Sequence, residues 1–366
     1  MSPTVAEISL PALRHNLLEV VRRAGPSAIL AVVKANAYGH GAVPVSRALL
    51  AAGAQRLGVA TVIEGVELRE AGITAPILVM SGGFAGELPA LLEYRLTPVL
   101  PSLETIMVLA QHVAGRAASL PVHLKIDTGM GRLGLSAREV EVLLDGGWPS
   151  SLWLEGVMSH LASADDRDAT ATEEQLVQFR TLLEIVKRAG IVPIAHIAGS
   201  AGILRFPASH FDMVRPGLML YGYTPGAMKV NTLRPVLTWK TYVVQVKRIA
   251  PGQAVSYGGS FIARRPTTAA VLAIGYADGY SRGLSNQGRV LINGGIAPVI
   301  GRVCMDLTMV DVTELPSVKA DDEVVLLGRQ GSTSITADDL ADQLGTISYE
   351  ILTGIGPRVR RVYRDG

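Results

Sequence analysis

The sequence predicts an α/β fold, a (β/α)8 barrel of the TIM type followed by a mainly β C-terminal domain. Three observations carry that prediction. Eight short apolar runs alternate with helical patterns over roughly the first 220 residues, which is the count and length such a barrel needs. The texture changes after Tyr221, where long helical patterns stop and β-branched runs separated by Pro and Gly take over. And the first apolar run closes on a lysine, Lys34, followed by a small polar loop, the arrangement found where an α/β fold builds its chemistry.

In chain order the candidate barrel strands are Ile29–Val33, Leu57–Thr61, Ile77–Met80, Thr97–Leu100, Val122–Ile126, Leu154–Ser159, Pro193–Ala198 and Phe211–Arg215. The first is apolar throughout and bounded by Gly25-Pro26 and Asn36, so it reads as a strand buried on both faces. Helical candidates lie between them: Val45–Ala52, Glu64–Ala71, Leu103–His112 and Thr172–Ala189, the last with Leu176, Phe179, Leu183 and Val186 on one face. Beyond the barrel, Val236–Ile249, Thr268–Ile274, Arg289–Ile292, Ala297–Val303, Met309–Val312 and Glu323–Leu327 read as strands. Short helices at Ala337–Leu344 and Tyr349–Leu352 precede a final strand, Arg358–Tyr363. Tyr223–Arg234, rich in turn residues, reads as a linker, which sets expected domains of 1–230 and 231–366.

Composition narrows the function classes. With 48% hydrophobic and 18% charged residues over 366 positions, the chain can bury a large core. Its 34 basic and 32 acidic residues are interspersed, so neither a nucleic-acid surface nor a basic membrane anchor is indicated. No window reaches the ~18 consecutive apolar residues of a membrane span. The opening MSPTVAEISLPALRHN lacks the pattern of a secretory signal. Cys304 is the only cysteine, which rules out an intrachain disulfide and argues against a cysteine-built metal site. A cytoplasmic location and no metal are the expectations.

In AILAVVKANAYGHG, residues 28–41, Lys34 sits between Val33 and Ala35, where partial desolvation favours the neutral amine that condenses with a carbonyl. The plain alternative is a strand-end lysine whose head reaches water. What weighs against it is company. The carboxyl ends of barrel strands converge on one face, and there the sequence also gathers Tyr38, Lys125, Asp127, Arg132, His160, Ser200 and Arg215.

Through VVKANAYGHG, LKIDTGMGRLG, MSHLASAD, MVRPGLMLYG, VSYGGSF, AIGYADGY, GRVCMDLTMVDV and SYEIL, in that order along nearly the whole chain, the sequence resembles alanine racemases of the barrel-plus-β-domain type. The resemblance implies pyridoxal 5'-phosphate as cofactor and interconversion of L- and D-alanine by two-base proton transfer on the cofactor aldimine, supplying D-alanine for peptidoglycan. It implies Lys34 as the internal Schiff-base lysine and the base on one face of the substrate Cα. Tyr257, contributed by the partner subunit of a homodimer, would act on the opposite face, with His160 and Arg215 linked to it. A phenol of ordinary pKa ~10 needs such help to act as a base.

The same resemblance places Arg215 against the cofactor ring nitrogen, where a donor without an acceptor would leave that nitrogen unprotonated. It assigns the phosphate to Tyr38, Ser200, the amides of Gly217 and Leu218, and Tyr349. It assigns the cofactor's phenolic oxygen and the substrate carboxylate to Arg132, and further substrate contacts to the Met305 amide, Tyr276 and Tyr349. Lys125 matches a position often carbamylated, and Asp306 would orient its surroundings. The chain departs from the family pattern before Ser200, where Gly199 replaces a usual asparagine. Alternatives are a racemase preferring serine or of broader small amino-acid specificity, and a non-catalytic cofactor-binding protein. Amino-acid decarboxylases share the domain plan without pairing VVKANAYGHG and SYG.

Overall fold

A computed structural model describes residues 4–82, 86–226, 228 and 230–365. Ala227 and Lys229 of the expected linker, and the first three residues of the opening segment, lie outside them. The chain forms two compact units, one spanning Leu13–Ala37 and Ala42–Arg234, the other made of the stretch up to Ala12, Tyr38–Gly41 and everything from Pro235 on.

The first unit is the eight-stranded barrel. Its strands are Ala28–Val32, Arg56–Val59, Ile77–Val79, Thr97–Leu100, Leu120–Lys125, Leu152–Met158, Ile194–His196 and Met213–Val214, all adjacent in sequence order except that the last pairs with the first. Every ladder is parallel, with registers such as Leu30↔Arg56 and Leu57↔Ile77. Two backbone hydrogen bonds, Asp212 N to Ala195 O at 3.1 Å and Arg215 N to Ala198 O at 2.9 Å, cross the seam between the seventh and eighth strands. Strands buried on both faces, such as Thr97–Leu100, are apolar runs because the interior of a barrel is packed core and helices cover its outside. Helix starts are written locally: Thr61 with Glu64, Ser102 with Thr105, and Ser136 with Glu139 form capping boxes that satisfy first-turn amides.

The second unit is built on a nine-stranded sheet whose longest strand is Leu237–Ile249. This strand pairs antiparallel with Val5–Ser9, Thr267–Leu272 and Glu323–Gln330. Val5–Ser9 was no strand candidate in the sequence, because five residues with one alternation give too short a pattern. It is nonetheless seated between Leu237–Ile249 and the parallel strand Arg360–Arg364. A two-stranded hairpin, Ala254–Val255 with Phe261–Ile262, stands apart from this sheet. It is anchored by a core of Ile249, Val255, Ala263, Ala269 and Ile300, with Phe261 and Met309 packed on it.

Candidate active site

Lys34 leaves the first barrel strand and is followed by four residues in left-handed conformation, Ala35, Asn36, Ala37 and Tyr38, with φ of 51°, 52°, 52° and 54°. Such backbone costs about 1–2 kcal/mol per L-residue, so the turn needs compensation. Ala37 N donates to Val33 O at 2.8 Å, and Asn36 Oδ1 accepts from Ala42 N at 2.8 Å. Glu64 does most to hold its start. One carboxylate oxygen accepts from Ala35 N at 2.7 Å, and the other accepts from Ala60 N at 2.7 Å and Thr61 N at 3.3 Å. Glu64 escaped the sequence reading as a site residue, although Thr61-x-x-Glu64 is a legible capping signature.

The Lys34 side chain is exposed at the barrel mouth. Even so, burial and then the Arg132 charge lower its pKa against a smaller opposing pull from Glu64. Lys125 is buried and pushed down to about 7 by desolvation, then by Arg215 and Arg132. His160 is held well below its ordinary value by desolvation and the charges of Arg215, Lys125, Arg132 and Lys34, which makes it a neutral imidazole ringed by four cationic groups. A mouth so rich in positive charge suits an anionic cofactor and a substrate carboxylate.

Arg215 is 4% exposed, and burial lowers it to about 9, so it remains charged at neutral pH. Its Nη1 donates to His196 Nδ1 at 2.9 Å; its Nη2 donates to Ser159 O at 2.7 Å, Ile197 O at 3.0 Å and His160 Nδ1 at 3.1 Å. All of these acceptors are held by the terminal nitrogens, leaving Nε–H for a ligand. Because arginine only donates, the ring nitrogens of His160 and His196 that face it must be bare. The Arg132 loop is shaped by Asp127, whose carboxylate accepts from the amides of Gly129, Met130 and Gly131, each at 2.9 Å. Gln175, from the helix Thr170–Arg188, steadies the neighbouring loop by donating to His160 O at 3.0 Å and accepting from Ala162 N at 2.8 Å.

Ser200 opens a short helix, and its Oγ accepts from Gly217 N at 3.1 Å and Met219 N at 3.3 Å. Two accepted bonds leave the hydroxyl proton to be donated outward, which suits a phosphate oxygen. A Cβ at Gly199 would come within 3.2 Å of His160 Cε1, so glycine gives this ring room that asparagine would take.

The remaining predicted residues lie in the β-rich unit. Tyr257, at the tip of the hairpin Ala254–Val255/Phe261–Ile262, is 71% exposed. Its loop is tied down one residue earlier, where Ser256 Oγ donates to Arg302 O at 2.7 Å from a backbone with φ 65°. Tyr276 N donates to Cys304 O and Ala277 N to Met305 O, both at 3.0 Å, so Tyr257, Tyr276 and Met305 belong to one connected group of loops. Gly275 permits that approach: a Cβ there would sit 2.2 Å from Met305 O. The Met305 amide donates to none of the described residues in return. Asp306 pairs with Arg358 at 2.9 Å, which also reaches Asp278 at 3.2 Å. The Tyr38 ring is buried against that of Tyr349, with centroids 5.9 Å apart, and burial drives its phenol far upward, so it is a neutral donor.

Residues 8–225 match the model of the alanine racemase N-terminal domain, and residues 236–363 that of the C-terminal domain. The chain belongs to the alanine racemase family. An alanine racemase from Halothermothrix orenii is 46% identical over 99% of this chain and 97% of its own. Among solved structures, the alanine racemase from Streptomyces coelicolor A3(2) superposes with a TM-score of 0.95 at 36% identity, covering 100% of this chain and 98% of that one. That from Bartonella henselae, crystallised with covalently bound pyridoxal phosphate, gives 0.92 at 31% identity and covers 100% of both chains. The family depends on pyridoxal phosphate and interconverts the enantiomers of alanine. The donor set described above fits that cofactor: a strand-end amine of lowered pKa, a buried arginine with an N–H to spare, and a serine hydroxyl free to donate.

Proposed function

We propose that the chain interconverts L- and D-alanine with two bases on opposite faces of the substrate Cα, Lys34 on one and Tyr257 on the other. The cofactor, when bound, supplies the electron sink that acidifies the Cα proton. Lys34 holds it and moves a proton at Nζ. The lowered pKa of Lys34 carries this reading, because only a neutral amine can form the link or take up a proton. Arg215 faces the ring nitrogen as a donor, and His160, neutral and with Nδ1 taken by Arg215, offers Nε2–H toward the Tyr257 oxygen. Ser200, the amides of Gly217 and Leu218, Tyr38 and Tyr349 bind the phosphate, while Arg132, Met305, Tyr276 and Tyr349 receive the substrate. In this assignment the barrel, 1–230, holds the cofactor and the β-rich part, 231–366, completes the site of a second copy.

The homodimer is supported by the exposure of Tyr257, Ile262, Tyr276, Met305 and Leu307, an apolar set that a lone chain would leave in water. Among the described residues no helix is long and apolar enough to cross a membrane, and a cytoplasmic enzyme making D-alanine for the cell wall is the corresponding role. No observation favours a serine racemase or a cofactor carrier. Purified protein given pyridoxal phosphate and L-alanine is expected to reach an equal mixture of enantiomers in a chiral assay, and faster turnover of L-serine than of alanine would overturn the substrate assignment.

Lys125 is assigned as a carbamate. With a pKa of about 7, much of it is neutral amine at neutral pH and can add carbon dioxide, which turns a cation crowded by Arg215 and Arg132 into an anion that pairs with Arg132. A ¹³C carbamate resonance is expected in protein equilibrated with labelled bicarbonate. It should be absent from Lys125→Ala and should fade below about pH 7 as the amine protonates. A wild-type spectrum without it at pH 8 would remove the assignment.

A further inference from the structure

A row of hydrogen bonds runs through the barrel interior from the amino-terminal end of the second strand to the active site. Arg56 Nη2 donates to Glu155 at 2.8 Å, and the other Glu155 oxygen lies 3.2 Å from His123 Nε2. His123 Nδ1 is 2.7 Å from His196 Nε2, and His196 Nδ1 accepts from Arg215 at 2.9 Å. Both imidazoles are fully buried, with ring centroids 4.9 Å apart. Room for the first ring is made by Gly156, where a Cβ would fall 2.4 Å from His123 Nδ1.

The chemistry of the two ends dictates the direction of every bond between them. Arginine has no acceptor, so His196 Nδ1 is bare and its proton is on Nε2. That proton is donated to His123 Nδ1, which must therefore be bare as well. His123 then carries its proton on Nε2 and donates it to Glu155, which as a carboxylate only accepts. A donor at one end and an acceptor at the other leave one arrangement in which no buried polar atom of the row is unpaired.

We propose that Glu155, acting through His123 and His196, is a positioning residue that locks Arg215 as a pure donor in one orientation at the active site. Neutrality of both rings agrees with this: burial lowers His123, and burial with the Arg215 charge lowers His196. Burial works against the Glu155 carboxylate, but hydrogen bonds from His123 and Arg56 outweigh it and hold it at about 2. Without Glu155 the two rings are free to reverse, putting a proton on His196 Nδ1 that would oppose the Arg215 N–H. The part played by Arg215 rests on the racemase reading above; the direction of the row does not.

The direction is read by ¹⁵N–¹H correlation spectra of histidine-labelled holoenzyme, where both His123 and His196 are expected as Nε2–H tautomers at neutral pH. A protonated Nδ1 or a charged ring at either position overturns the proposal, whatever the activity. In Glu155→Leu the tautomers should mix and kcat should fall roughly 10- to 100-fold, the range seen when an outer hydrogen-bond partner is lost. KM should stay within about two-fold, because no group that receives substrate is touched. Glu155→Gln, which can still accept from His123, should recover most of the loss. If Glu155→Leu does not fold, the wild-type spectrum and Glu155→Gln decide alone. Unchanged kcat with scrambled tautomers would reduce the row to packing, and failure to racemise alanine with the tautomers as expected would fault the racemase reading instead.

Discussion

Lys34→Ala is expected to abolish racemisation and the visible absorbance of covalently held cofactor together. Two separate losses combine in this one variant. The amine that anchors the cofactor disappears, and so does the base on one face of Cα, whose removal alone costs about 10²–10⁴-fold in rate. Stability should move little. Lys34 is exposed and its positive charge is crowded by Arg132, so deletion falls in the surface range of about ±0.5 kcal/mol or relieves slight repulsion. An unchanged melting temperature beside lost activity would therefore separate chemistry from folding. Lys34→Arg sharpens the test by keeping a cation with an amine too basic to condense. Protein that retains its visible absorbance after dialysis of Lys34→Ala, or a kcat within ten-fold of wild type, would refute the assignment.

The pH dependence follows from the same groups. Lys34 is depressed relative to its free value, so its neutral form, and the activity that needs it, is lost as pH falls through the lowered folded pKa. His196 and His160 are depressed too, and in their window the unfolded chain binds more protons than the native one. Folding stability is accordingly full above the unfolded histidine value of about 6.5 and declines as pH falls below it.

Much of this was legible in the sequence, for identifiable reasons. The barrel strands are apolar because both faces are buried, and that pattern survives without any structure: all eight runs form strands, with ends moved by one to three residues. Ala337–Leu344 is a helix over its expected length because Thr336 and Asp339 write its start and Gly345, at φ 66°, its end. The left-handed turn after Lys34 was not legible. Nothing in the composition of Ala35, Asn36 and Ala37 announces four positive φ values; the turn exists because Glu64, 29 positions beyond Ala35, supplies an acceptor at its start. His123 and His196 were missed for a related reason. A histidine inside an apolar strand looks like satisfied core until the register sets it beside another, and Gly156 is what lets these two meet.

Tyr257→Phe is the variant that tests whether two bases are used at all. Tyr257 is 71% exposed in its own chain, so removing its hydroxyl should leave folding and cofactor binding as they were. Racemisation in both directions should drop by about 10²–10⁴-fold, because a proton taken from one face can no longer be returned to the other. Lys34 remains, and so does its half of the exchange. One enantiomer of alanine should still trade its Cα hydrogen for solvent deuterium with retention of configuration, while the other should trade it hardly at all. A single base swinging between faces would instead slow both enantiomers equally, and a base other than Tyr257 on the second face would leave turnover intact. The lopsided exchange is thus diagnostic: it distinguishes a missing second base from a site that has merely loosened.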